Sequence, residues 1–127
     1  LYTVSTQPTL DAGWQAFSEA AIAPAVAEGK VVFVDITADW CLTCKANKRR
    51  VFDRQEVEDA MFVPNVLLLQ ADWSHVDPKI SAFLKSYGRA GIPFNIIYGP
   101  GAPQGIILSE WLTKEDVIRA LEQAAGE

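Results

Sequence analysis

The only two cysteines of the chain, Cys41 and Cys44, stand two residues apart in the run Asp35-Ile36-Thr37-Ala38-Asp39-Trp40-Cys41-Leu42-Thr43-Cys44-Lys45. Two thiols at this spacing can exchange with a disulfide: one attacks as the thiolate and the other resolves the mixed disulfide. The apolar residues Val31-Val32-Phe33-Val34 precede them and a stretch free of Gly and Pro follows, so the pair should close a strand and open a helix. Unpaired N–H groups at a helix start favour a thiolate there. The help matters, because an ordinary thiol with a pKa of about 8.5 is only a few per cent ionised at neutral pH. Cys41, ahead of the helix and expected to be the more exposed, is the expected nucleophile. Cys44, inside the first turn, is the expected resolving thiol. Lys45 should support the thiolate, whereas Asp39, two residues before Cys41, should oppose it.

Other chemistries use the same residues. A zinc site needs two further ligands, yet no third cysteine exists and the single histidine, His75, lies about thirty residues on, so zinc is disfavoured. As a lone histidine in a loop, His75 reads as a surface residue. A Cu(I) ion held between two thiolates is a live alternative, which predicts stoichiometric copper binding and little disulfide turnover. Idle thiols in an interaction domain are another, under which Cys41→Ser would change nothing. Asp35, in a strand with no evident cationic partner, should have a raised pKa if it is dry. It could then exchange a proton with Cys44, directly or through water, or it could be a buried acid satisfied by backbone hydrogen bonds.

The elements that must position these groups follow from periodicity. Residues 1 to 12 read as a linker-like arm that could add a short edge strand, and 13 to 127 as a single domain. A helix is expected from Gly13 to Glu28, with Trp14, Phe17, Ala21 and Ala25 at helical spacing and Pro24 kinking or interrupting it. Val31 to Ile36 reads as a strand buried on both faces. One long helix should run from Cys41 to about Met61, ended by Pro64. Five of the eleven basic residues, Lys45, Lys48, Arg49, Arg50 and Arg54, fall on it, either as a solvated face with local charge pairs or as a docking surface for an acidic partner. A second buried strand, Val66 to Ala71, precedes a helix from Asp77-Pro78 to Tyr87. Pro93 reads as a strand-start proline ahead of Asn95 to Tyr98, and the Gly99-to-Gly105 turn cluster returns a strand from Gly105 to Leu108. Thr113 caps a last helix with Val117, Ile118, Leu121 and Ala124 on one face. Strands alternating with helices and closed by a hairpin give an α/β fold, a mixed central sheet with helices on both faces.

Composition sets limits. At 127 residues and 50% hydrophobic, the chain suits one compact domain. Charged residues make up 21% and the net charge is −5, which argues against disorder and general nucleic-acid binding. No apolar run approaches the roughly eighteen residues that cross a bilayer, and the start lacks the pattern of a signal peptide. A soluble segment is therefore expected, and the lack of an initial Met fits an excised or processed piece of something larger. Two cysteines do not decide the compartment.

The run from Val34-Asp35 to Cys41-Leu42-Thr43-Cys44-Lys45 resembles the active-site segment of thioredoxin-fold proteins, with Asp35 at the place of their buried acid. Ala38-Asp39-Trp40-Cys41-x-x-Cys44-Lys45, followed by Asn47 and Val51-Phe52, is similar to one branch, the C-terminal periplasmic domain of DsbD-type transmembrane thiol-disulfide reductases. That branch includes the ScsB-like variants tied to suppression of copper sensitivity. The resemblance spans roughly Trp14 to Leu121. It implies the thioredoxin fold, no cofactor, and catalytic roles for Cys41, Cys44 and Asp35. It also implies that Pro93 is cis beside the cysteines, so that the Ile92 backbone can pair with an extended substrate, with Trp40, Ile92 and Pro93 framing the docking patch. The implied function is a reductase module, monomeric as an isolated domain, that accepts electrons from a membrane-embedded thiol reductase domain and reduces a periplasmic protein disulfide. A free-standing thioredoxin-like reductase is the alternative. Two departures stand out: Leu42-Thr43 replaces the Gly-Pro of ordinary thioredoxins, and Lys48 stands where well-known members of the branch carry a glutamate.

Overall fold

The computed structural model describes residues 10–127. The expected edge strand of the N-terminal arm falls mostly outside these residues, and the edge strand found is β1 (Gln15–Ala16). It is followed by a 3-10 turn (Glu19–Ala21), α1 (Ile22–Ala27) and β2 (Val31–Thr37). Then come α2 (Leu42–Asn47), a π-helical turn (Lys48–Phe52), α3 (Gln55–Met61), β3 (Val66–Asp72) and α4 (Pro78–Ser86). The hairpin of β4 (Phe94–Gly99) and β5 (Ala102–Ile107) precedes α5 (Lys114–Ala125). The sheet order is β1-β3-β2-β4-β5; β1, β3 and β2 run parallel, and β4 and β5 are antiparallel to their neighbours.

Alternation along the strands divides the core into two layers. Val31 and Phe33 of β2, Leu68 of β3 and Ile97 of β4 pack with Trp14, Phe52, Val57 and Met61 and with Val117, Leu121 and Ala124 of α5. Val32, Val34 and Ile36, Leu69 and Ala71, and Phe94, Ile96 and Tyr98 pack on the opposite face with α1 and with Ile80, Phe83 and Leu84 of α4. The mixed sheet with helices on both faces, expected from the order of elements, is the one observed.

Three elements differ from the sequence reading. The helix expected from Gly13 to Glu28 is instead a strand and a short helix. Trp14 and Phe17, at helical spacing, serve opposite faces: Trp14 packs edge-on to Phe33 and Phe52, and Phe17 against Phe83. Between them Gln15 and Ala16 pair with Leu69 and Gln70. Pro24 neither kinks nor interrupts a helix; it falls in the first turn of α1, where a missing N–H costs little.

The single long helix expected from Cys41 to Met61 is broken. Asn47, Val51, Val57 and Met61 are all buried. At roughly 100° per residue an unbroken helix would leave Val57 about 140° around from Cys44, facing away from the sheet. The π-helical turn and the extended Arg54 (φ −85°, ψ 138°) reset the phase, so that α3 turns its apolar side back to the core. The third difference lies in the closing hairpin. Its turn is only Pro100-Gly101, so β5 begins at Ala102, and Pro103 is tolerated because β5 is an edge strand.

Candidate active site

The chain leaves β2 at Thr37 and enters α2 at Leu42, which makes Cys41 the N-cap (φ −89°, ψ 101°). Its Sγ accepts the Cys44 N–H at 3.2 Å, one of the first-turn groups that the helix itself cannot satisfy. Cys44 lies one turn inside, as the spacing requires. The two sulfurs are bonded to each other, with Cα atoms 5.3 Å apart, so this is the oxidised form of the pair. The expected difference in exposure is not found: Cys41 is 5% and Cys44 7% exposed. Ala38 clusters with the two cysteines, and the partly buried Ile92 packs against this cluster. Cys41 is set apart by its place at the helix end, not by access to water.

The Ile92–Pro93 peptide is cis, Pro93 is buried and Ile92 touches the cysteine pair. Trp40 is 57% exposed, and Leu42, which the sequence reading did not select, is 79% exposed. Trp40 is nevertheless fixed. Its Nε1 donates to the Ser74 carbonyl at 3.3 Å, and the Asp39 N–H donates to Ser74 Oγ at 2.8 Å. Ser74 in turn donates to Asp72 Oδ1 through its N–H, at 2.9 Å, and its hydroxyl. The loop that leaves β3 thus holds the segment that delivers Cys41. Ser74 was missed from sequence, although Asp72-x-Ser74 is the spacing of an Asx turn. His75 is exposed, as expected.

Asp35 sits behind the pair. In β2 it alternates onto the Phe33 face, toward α2, and it lines a cleft of about 260 Å³ together with Cys44, Lys45, Lys48 and Phe52. Among the described residues the carboxylate takes no cation. Its Oδ1 accepts from Asn95 Nδ2 at 2.7 Å and its Oδ2 from Gln70 Nε2 at 2.9 Å. Side-chain amides, not the backbone, satisfy this acid. Burial raises its pKa from 3.8 to about 6, against the lowering effect of the two amides. A larger groove of about 560 Å³ runs along Ala16, Phe17 and Ile80, but neither cysteine lines it, so the chemistry belongs to the smaller cleft.

The basic run after Cys44 is partly consumed by local contacts, the blander of its two readings. Lys48 bonds both oxygens of Asp53, at 3.0 and 3.1 Å, and this partner holds its ammonium above the ordinary value. Arg50 donates to the Leu112 carbonyl at 3.2 Å and lies 4.1 Å from the centre of the Trp111 ring. Asn47, buried and noted in the sequence only as part of the pattern that carries the resemblance, donates to the Glu110 carbonyl at 2.8 Å and accepts the Leu112 N–H at 3.1 Å, which ties α2 to the loop before α5. Lys45, Arg49 and Arg54 remain exposed. Among the described residues no cluster of three or more His, Cys, Asp or Glu could hold a metal, and no helix is long and apolar enough to cross a membrane.

A Cys-x-x-Cys at the start of a helix, a buried acid on the strand before it and a cis-proline step against the sulfurs define a thiol-disulfide site of the thioredoxin fold. The chain belongs to the thioredoxin-like family, whose model matches residues 13–100. It is 36% identical over 75 residues, 59% of its length, to the thiol:disulfide interchange protein DsbD of Vibrio cholerae. To the DsbD of Ralstonia nicotianae it is 33% identical over 109 residues, 84% of its length. It spans only 12% and 17% of those two relatives. The oxidised C-terminal domain of DsbD from Neisseria meningitidis superposes with a TM-score of 0.66 at 28% identity, covering 84% of this chain and 91% of that one.

Proposed function

We propose that this domain is a protein-disulfide reductase module. The observation that carries the reading is the shared cleft of Asp35 and Cys44 behind a Cys41 that caps α2. In the reduced form the Cys41 thiolate attacks one sulfur of a substrate disulfide, forms a mixed disulfide and expels the other sulfur as a thiolate. Cys44 passes its proton to Asp35 and attacks Cys41 Sγ, which breaks the mixed disulfide and releases the second substrate thiolate. The two substrate thiolates take up the two protons that the pair has lost. The module ends as the disulfide seen here and two electrons have moved to the substrate. Trp40, Ile92 and Pro93 frame the opening at which the substrate strand docks, with Ile92 offering its backbone for strand addition.

Similarity to DsbD over most of the domain supports a relay position: electrons arrive as a dithiol from a membrane-embedded partner domain and leave to protein disulfides in the periplasm. The test is the reduction potential of Cys41/Cys44 in glutathione and dithiothreitol buffers, read by mass-spectrometric counting of alkylated thiols. A value well below the glutathione couple supports an electron donor. A value near or above about −180 mV, the range of protein disulfide isomerase, would overturn the reductase reading in favour of an oxidase or isomerase.

A further inference from the structure

Asp35 does not stand alone. The sheet register places Gln70 opposite it on parallel β3 and Asn95 opposite it on antiparallel β4, so the three side chains form one row across three strands. All three are buried, at 5%, 2% and 2% exposure for Asp35, Gln70 and Asn95. Each carboxylate oxygen takes one amide N–H, from Asn95 at 2.7 Å and Gln70 at 2.9 Å. Gln70 reaches further. Its second N–H goes to Asp11 Oδ2 at 3.0 Å, and its Oε1 accepts the Asp11 N–H at 2.9 Å. Polar residues in the middle of buried apolar strands are costly unless each hydrogen bond is made, and here the acid receives two charge-assisted ones.

We propose that Asn95 and Gln70 are positioning residues for proton transfer between Asp35 and Cys44: their amides fix the carboxylate in one orientation in the cleft and receive its charge. The proposal rests on the reading of Asp35 as the proton acceptor of Cys44. Burial favours the protonated acid, which cannot accept a proton, and the two amides work against it in favour of the ionised form. The other groups facing the cleft are Asp11 from the segment before β1, Asp39 before α2, Cys44 and Lys45 on α2, Lys48 on the π-helical turn and Asp72 on β3. Asp11 opposes the amides by repulsion. Gln70 therefore bridges two carboxylates, and Asn95 alone serves Asp35 exclusively.

The test follows the reduced full chain reacting with 5,5′-dithiobis(2-nitrobenzoate). Attack by Cys41 releases the first thionitrobenzoate and attack by Cys44 the second, so the second phase isolates the resolving step. In Asn95→Leu, which removes the donor at similar volume, the pH midpoint of the second phase should rise by about one unit, a roughly tenfold slowing below the midpoint. The first phase should not change. Asn95→Thr, which restores a hydroxyl donor, should recover much of the shift; a purely structural role would not predict that recovery. Should Asn95→Leu fail to fold, Gln70→Leu carries the same expectation. Asp35→Asn separates the two readings. If it removes the pH dependence that Asn95→Leu leaves at the parental midpoint, the positioning role is overturned and the acid's role stands. If Asp35→Asn itself leaves the second phase unchanged, the proton-acceptor reading fails first and the positioning role falls with it.

Discussion

Replacing Asp35 by Asn should stabilise the oxidised domain while slowing it. The rise of the Asp35 pKa from 3.8 to about 6 means that the folded protein holds a proton that the unfolded chain has released between those values. Stability therefore falls as pH rises through this window, because the native state binds more protons than the unfolded one. At roughly 1.4 kcal/mol per pH unit the loss reaches about 3 kcal/mol by neutral pH and stays constant above it. Below about pH 3.8 both states are protonated and nothing is lost. Asn mimics the protonated acid at all pH values. Its carboxamide keeps one acceptor oxygen for the Gln70 amide and puts an NH2 group with two N–H donors at the other position, to one of which a turn of the Asn95 amide presents an oxygen. Asp35→Asn should thus exceed the parent in stability by about 3 kcal/mol at pH 7.5 and match it at pH 3.5. Denaturant titrations of both oxidised proteins at half-unit steps measure the difference, in which the other carboxylates cancel. A difference that does not vary with pH, or a variant less stable at pH 7.5, would refute the claim that Asp35 is a desolvated acid. The same variant should slow the resolving step by about a hundredfold, the lower range for loss of a general base.

Other outcomes follow from single contacts. Cys44→Ser should leave the first attack intact and accumulate a mixed disulfide between Cys41 and the substrate, visible as an intact-mass adduct that dithiothreitol removes; failure to trap it would remove Cys41 as the nucleophile. Asn47→Ala leaves the Glu110 carbonyl and the buried Leu112 N–H without their partner, and should cost about 2 to 4 kcal/mol in urea unfolding. Trp40→Ala loses one hydrogen bond at an exposed site, so stability should change by about 1 kcal/mol or less. Its kcat/KM for a protein disulfide should fall about tenfold with small disulfides unaffected, the behaviour of an exposed aromatic anchor. Equal losses on both substrates would place Trp40 in the chemistry and not in docking.

The Cys41/Cys44 pair, the buried strands, the helix start at Asp77-Pro78 and the cap at Thr113 were legible because each is a local pattern: a spacing, an apolar run, an acidic, proline-marked or capping start to a helix. What was hidden depends on which face of the sheet a residue serves. Trp14 and Phe17 share a helical spacing, yet they pack on opposite faces, and no local rule separates that case from a helix. The break at Arg54 is absent from propensity, since nothing between Leu42 and Met61 breaks a helix. It is present in the phase of Val51, Phe52, Val57 and Met61, which on one unbroken helix would spread over about 220° of its circumference. Gln70 and Asn95 were visible as polar residues in apolar strands, but their meeting at Asp35 needs the register of three strands. Exposure misled the reading of the cysteines, because Ile92 comes from a loop some fifty residues away along the chain.

Register is also what turns the buried acid into a chemical group. Strand side chains alternate faces, so shifting β2 by one residue against β3 and β4 would move Asp35 to the side of α1 and α4, away from Cys44, and would drive Val34 and Ile36 toward α2. The same slip would leave Gln70 and Asn95 buried without their shared acceptor, each at the cost of an unmade hydrogen bond. Because β2 is apolar on both faces, it is Asp35, the one charged residue in the strand, that selects the alignment in which the acid has two amide partners and faces the cysteine-bearing helix. The apolar pattern that specifies the sheet and the polar row that specifies the chemistry are satisfied by the same register. The ionised acid lowers stability at neutral pH, and the row across the sheet keeps that cost to a few kcal/mol.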